Sequence, residues 1–184
     1  MAFHFDINLI VVGRDAYSES DLQSVENVVN HAASSFSSHG LPIGAVNRYH
    51  ITVADAGVLV VPRNQADCIR LGQRWAVRND ALDVFIVLRM TDPIAAGWSP
   101  VGGKCNKSAT KGLRAPVVSL EQGDLAASVT FIHEIGHCLG LQHCVEDPAS
   151  CGPNNFMEIL TGVTRSKFTP MQLAKMKEHC FVKP

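Results

Sequence analysis

The stretch His133-Glu134-Ile135-Gly136-His137-Cys138-Leu139-Gly140-Leu141-Gln142-His143 constrains this chain more than any other part of it. It lies inside the clearest helical pattern in the sequence, in which Leu125, Val129, Ile132, Gly136 and Leu139 follow Asp124 at helical spacing and stop at Gly140. His133 and His137 therefore stand one turn apart on one helix face, where two imidazoles can reach the same ion at about 2.0 to 2.1 Å. A continuing helix would swing His143 around the axis and away. Gly140, free to take a positive φ, is expected to turn the chain so that His143 completes three corners of a tetrahedron. A fourth position left to water marks a catalytic zinc rather than a structural one, so one Zn2+ ion is the expected cofactor. Glu134 falls about 100° around the helix from His133, beside the ion, where a carboxylate can take a proton from water and hand it to a leaving amine. The chain's own frequencies of His, Glu and Gly give an accidental match to this pattern at about 10⁻⁵ to 10⁻⁴, so chance does not compete. Peptide-bond hydrolysis is the reaction that fits.

Composition narrows the partners. The chain has 184 residues, of which 46% are hydrophobic and 18% charged, enough for one domain with a core of its own. Its formal charge is -1 and its basic residues are scattered, which argues against nucleic acid. The apolar run Ile7 to Val12 is interrupted by Asn8 and ends at Gly13, far short of the roughly 20 residues that cross a bilayer, so no membrane span is expected. The expected partner is a protein or peptide substrate met by a monomer.

Phe3, Phe5, Ile7, Leu9 and Val11 alternate as a first core strand. Ser20 with Gln23 reads as a capping box opening a helix that carries Leu22, Val25, Val29, Ala32 and Phe36 to Gly40. An extended stretch follows from about Tyr49 to Val61, then a helix capped by Asn64 and a strand through Leu82, Val84, Ile86 and Leu88. Beyond Asp92 and Pro93, Gly97 to Gly103 has the Gly and Pro spacing of a sheet edge, and Pro116 to Leu120 supplies another short strand. Residues 142–168 read as irregular, and Thr169, Pro170 and Gln172 open a last helix. The expected fold is α/β: a twisted mixed sheet with an antiparallel edge strand, packed helices, and a small irregular C-terminal part ending in a helix. Residues 1–184 form a single domain, with subdomains of about 1–140 and 141–184.

His133, Glu134, His137, Gly140 and His143 match HExxHxxGxxH, so the chain resembles the metzincin clan of zinc endopeptidases. In that clan a Met-containing turn lies beneath the metal, and Met157 in Asn154-Asn155-Phe156-Met157 is the candidate here; taken alone it would read as a core side chain. The resemblance extends from Gly97 to Cys180, on the bacterial, pappalysin-like and astacin-like side of the clan without a subfamily. Ile159 stands where astacins and serralysins place a ligating Tyr, so a tyrosine switch is not expected. His143-Cys144 is similar to archaemetzincins, but Cys151 and the lack of a CxxC pair break that pattern. The resemblance implies a cleft in which a peptide adds to the edge strand at Gly97, Trp98, Ser99 and Val101. It also implies a specificity pocket walled by Glu158 to Thr164, with Glu158 favouring a basic side chain and Ile159 beside it.

Six cysteines, four of them in the last 47 residues, point to disulfides, with all six reduced as the alternative. Cys105 or Cys144 as a latent zinc ligand is the less favoured reading. His4, His31, His39, His50 and His179 lack metal spacing, and Glu146 with Asp147 reads as a solvated loop rather than a calcium site. The cysteines and the resemblance favour a secreted protein, whereas Met1 to Phe5 shows no secretory signal and leaves the cytoplasm as the alternative. The competing functional readings are a latent or non-catalytic zinc-bearing peptide-binding module and a hydrolase of non-peptide amides.

Overall fold

The computed structural model describes residues 3–91, 96–107, 115–159 and 163–184. Met1, the Asp92-Pro93 break and residues 160–162 of the expected pocket wall lie outside them. The apolar first strand, β1 (His4–Val12), is buried from Ile7 onward because it runs through the middle of the sheet. It pairs in parallel with β2 (Ile43–Ile51) on one side and β3 (Leu82–Val87) on the other. β3 pairs in parallel with β5 (Val117–Ser119), and β4 (Gly97–Trp98) closes the far edge antiparallel to β5. The strand order is β2-β1-β3-β5-β4, with β6 (Val182–Lys183) antiparallel to the start of β1.

Parallel neighbours require crossovers, and the helices supply them on opposite faces. α1 (Glu19–Ser38) leads from β1 to β2 and packs Val25, Val28, Val29, Ala32 and Phe36 on Phe5, Ile7, Leu9 and Val11. α3 (Gln65–Trp75) leads from β2 to β3 and buries Cys68 and Leu71 against Ile10 and Val12 on the other face. α4 (Asp124–Cys138) joins α1 on the first face. The architecture is thus the mixed α/β sheet expected from sequence.

Four local expectations are corrected. The cap of α1 is Ser18, with Asp21 closing the capping box, not Ser20 with Gln23; an Asp carboxylate reaches back to the Ser18 N–H at 2.8 Å as a Glu or Gln would. The extended segment begins earlier and ends at Ile51. Thr52 then caps α2 (Val53–Ala56) through the Asp55 N–H, and a 3-10 turn follows over Gly57–Val60. As an edge strand open to water, β2 lacks the apolar alternation that would have revealed its start. The far edge strand is only Gly97–Trp98, because Gly102 and Gly103 turn to donate to the His137 and Cys138 carbonyls at the end of α4. Finally, α4 is not one-sided: it is buried on every side from Ala127 to Cys138, while Leu125 of the expected stripe is 48% exposed. The last helix, α5 (Pro170–Lys177), has its capping box at Thr169 and Gln172 as the sequence indicates.

Two disulfides, Cys105–Cys180 and Cys144–Cys151, tie the C-terminal region down, and the buried Cys68 and Cys138 take part in neither. Cys105 and Cys144 are therefore not thiolate ligands. A buried polar cluster pins the sheet's other end: Lys107 Nζ donates to Asp83 Oδ1 at 2.8 Å, and Asn8 Nδ2 donates to the same oxygen at 2.7 Å. Lys107 also donates to the Ala81 carbonyl. Burial raises the Asp83 carboxyl, opposed by Lys107 and its hydrogen bonds. Lys107→Met leaves that carboxylate buried without its cation, and should lower stability by about 3 to 5 kcal/mol in urea unfolding at pH 7. The Lys107→Met, Asp83→Leu pair should recover most of the loss; equal losses in single and double variants would reject the coupling.

Candidate metal centre

The helix that carries His133 and His137 ends where its backbone chemistry tells it to. Gly140, at φ 98°, donates to the His137 carbonyl at 2.8 Å, and Leu141 donates to the Gly136 carbonyl at 2.9 Å. Those two bonds make a Schellman closure, which needs a residue without Cβ at the left-handed position. The chain reverses there, and the Nε2 atoms of His133 and His143 each come within 3.0 Å of His137 Nε2. Ligand atoms from all three side chains lie within 4.8 Å of one another.

Each helical imidazole is held by its far nitrogen. His133 Nδ1 lies 2.6 Å from the Phe156 carbonyl and His137 Nδ1 lies 2.8 Å from the Leu141 carbonyl. A carbonyl only accepts, so Nδ1 carries the proton and the neutral ring presents an Nε2 lone pair. Burial pulls His133 down to about 3 and His137 down to about 4, which keeps both neutral. Three Nε2 atoms 3.0 Å from one another in sequence, two of them on rings whose Nδ1 is held by a carbonyl, make a donor set for a cation, and an all-imidazole set suits zinc. Glu146 accepts from the His143 N–H at 3.3 Å, steadying the third histidine rather than forming a calcium site.

The floor beneath the helix comes from the Asn154–Met157 turn: Met157 is fully buried, and its Sδ would lie 2.7 Å from a Cβ on Gly136. Asn154 takes φ 56°, Asn155 Oδ1 accepts from the Met157 N–H at 2.9 Å, and the Met157 carbonyl accepts from the Cys144 N–H at 2.8 Å. The buried amides of Asn155 and Gln172 exchange hydrogen bonds at 2.9 and 3.1 Å, locking the turn to the cap of α5. One short segment thus orients His133 through Phe156 and anchors the residue after His143.

Glu134 is 6% exposed, and burial pushes its carboxyl up to about 8. No side chain donates to it among the described residues. β4 crosses directly over it: a Cβ on Gly97 would stand 2.9 Å from Glu134 Cγ and 3.0 Å from its Oε1. Trp98 continues β4, while Ser99 and the 44% exposed Val101 lie beyond the strand on the segment leading to Gly102. Glu158 does not offer a free charge, since Arg165 Nη2 lies 3.2 Å from its carboxylate and Arg165 Nη1 donates to its carbonyl at 2.6 Å. The idea that Glu158 selects a basic side chain loses its physical basis, because that charge is already neutralised. Ile159 next to it is 57% exposed.

Sequence reasoning placed Gly136 on the helix and Asn155 and Phe156 in the turn without seeing what they touch, and missed Arg165. A glycine in mid-helix is a signal of close approach, and could have pointed to Met157; the Phe156 carbonyl and Arg165 carry no such signal. Of the other histidines, His39 is a packing residue whose Nε2 accepts from the Phe168 N–H at 3.3 Å.

Comparison with known proteins agrees with this geometry. The model of the family described as "Metallo-peptidase family M12B Reprolysin-like" matches residues 22–144, a span that includes all three histidines and Glu134. No curated protein matches the sequence. The fold is similar to the crystal structure of metalloproteinase-II from Bacteroides fragilis, with a TM-score of 0.62, 14% identity, and 96% of this chain covered. This chain spans about half, 52%, of that one. It is also similar to archaemetzincin from Methanopyrus kandleri, with a TM-score of 0.59, 14% identity, and 95% and 94% of the two chains covered.

Gly136→Ala directs a methyl at the Met157 sulfur. Its overpacking cost of about 1 to 3 kcal/mol should exceed the gain of about 1 kcal/mol from helix propensity, so the melting temperature falls. Combining it with Met157→Ala should remove that clash; a stabilised Gly136→Ala variant would reject the contact.

Proposed function

We propose that this chain, which belongs to the reprolysin-like metallopeptidase family M12B, is a zinc endopeptidase that cleaves polypeptides internally with Glu134 as the proton carrier. The observation that carries this reading is the convergence of three imidazole Nε2 atoms beside a buried carboxylate that lies directly under an edge strand. His133, His137 and His143 would hold the ion. Zinc bound there supplies Lewis-acid polarisation of the scissile carbonyl and acidifies the attacking water.

The chain's own groups do the rest. Among the described residues β4 ends the strand order and pairs only with β5, so a peptide strand can add along the other side of Gly97 and Trp98. A peptide paired there runs antiparallel across Glu134, held by main-chain hydrogen bonds that read no sequence, with Ser99 and Val101 extending the contact. Glu134 takes a proton from the attacking water and returns it to the amine nitrogen as the peptide bond breaks. Its burial excludes bulk water that would compete for the proton. Gly140 sets where His143 arrives, and Met157 supports the ligand helix from below. In this reading the single catalytic domain divides near residue 140, with the substrate between the two parts.

Two disulfides suit a secreted protein. No helix among the described residues is long and apolar enough to cross a membrane. The enzyme acts as a monomer in this reading.

Zinc-loaded protein should cleave an unbiased peptide library at internal bonds, and Glu134→Ala carrying the same zinc should be slower by at least about 100-fold. Loss of only terminal residues would make the enzyme an exopeptidase. Equal activity of the two proteins would reject Glu134 as the proton carrier, and no cleavage by either would leave a zinc-bearing peptide-binding module.

A further inference from the structure

At the opposite edge of the sheet, a groove of about 280 Å³ opens between α1 and β2. β2 and β4 are the two ends of the strand order, so roughly 19 Å of sheet separates this groove from the strand over Glu134. Its apolar side is built by Leu9 and Val11 of β1 with Leu22 and Val25 of α1. Its polar side follows from register: Arg48 is paired with Leu9 and His50 with Val11, so both project on the face that carries α1. The groove lies toward the carboxyl ends of two parallel strands, where open α/β sheets hold ligands, and its volume approaches the roughly 300 Å³ at which small-molecule sites begin.

The charges in the groove are not balanced. Glu26, its one acid, is taken by Arg48 in a two-pronged pair at 2.9 and 2.7 Å. Arg14, exposed at the mouth, has no partner for its guanidinium among the described residues. An apolar trough with one uncompensated guanidinium at its end excludes a cationic ligand, and gives a neutral one no partner for that charge. We propose that this groove binds a small organic acid with an aliphatic tail, its carboxylate on Arg14 and His50 and its tail against Leu9, Leu22 and Val25. Guanidinium and carboxylate match as planar two-point partners, and the tail replaces water over the half-buried Leu22 and the exposed Tyr49 that also lines the groove, with the buried Leu9 and Val25 as its closed floor. The site is independent of the zinc chemistry.

Octanoate is the probe, titrated into the full oxidised chain and followed by amide NMR. Saturable shifts are expected at Leu9, Leu22, Val25 and His50, with octanol and octylamine at least tenfold weaker. Arg14→Glu should weaken octanoate at least tenfold while leaving the remaining spectrum and any peptide cleavage unchanged. Leu22→Trp, which fills the trough but keeps the charge, should do the same. Octanol or octylamine binding as well as octanoate, shifts spread over the whole surface, or no saturation at millimolar octanoate would each overturn the proposal.

Discussion

The Schellman closure at Gly140 is the constraint on which the rest of the site depends. Two main-chain bonds, from Gly140 to the His137 carbonyl and from Leu141 to the Gly136 carbonyl, end the ligand helix within one residue of where it must end. They also aim the Leu141 carbonyl at His137 Nδ1, so the bond geometry that turns the chain fixes a ring tautomer as well. The third histidine then arrives on the returning strand of chain. A side chain at position 140 would carry the cost of a left-handed backbone at the point where the ligands converge.

The helix is held from both sides by backbone brought close through small residues. Below it, the absence of a side chain at Gly136 admits the Met157 sulfur, and the same turn presents the Phe156 carbonyl to His133. Above it, Gly97 lets β4 lie against Glu134, and Gly102 and Gly103 donate to the last carbonyls of the helix. The Cys105–Cys180 bridge then fastens the segment following β4 to the chain end. The three histidines and Glu134 are thereby positioned by main-chain bonds and packing, leaving their reactive atoms unspent.

Much of this was legible in sequence because the signals are local. Histidines four residues apart, a glycine after the last helical turn, and Thr169 with Gln172 each encode geometry within a few bonds, and the structure forms the corresponding elements. Errors gathered where burial or pairing decides. β2 is open to water and shows no alternation, while α4 is enclosed and shows no polar face, so periodicity misplaced the start of one and narrowed the other. The capping box at Ser18 was missed because Asp rather than Glu or Gln completes it.

The sequence by itself determined the donor set, its helical spacing, the turn that returns His143 and the alternation of the central strands. Each follows from the fixed geometry of a helix turn or a pleat. Only the tertiary structure decided that Phe156 would hold His133, that Asn155 would pair with Gln172, that Arg165 would neutralise Glu158, and that Asp83 would be buried with Lys107. Those contacts join residues 7 to 24 positions apart, and their partners are chosen by which surfaces meet when the sheet, helices and loops pack. No local periodicity carries that information.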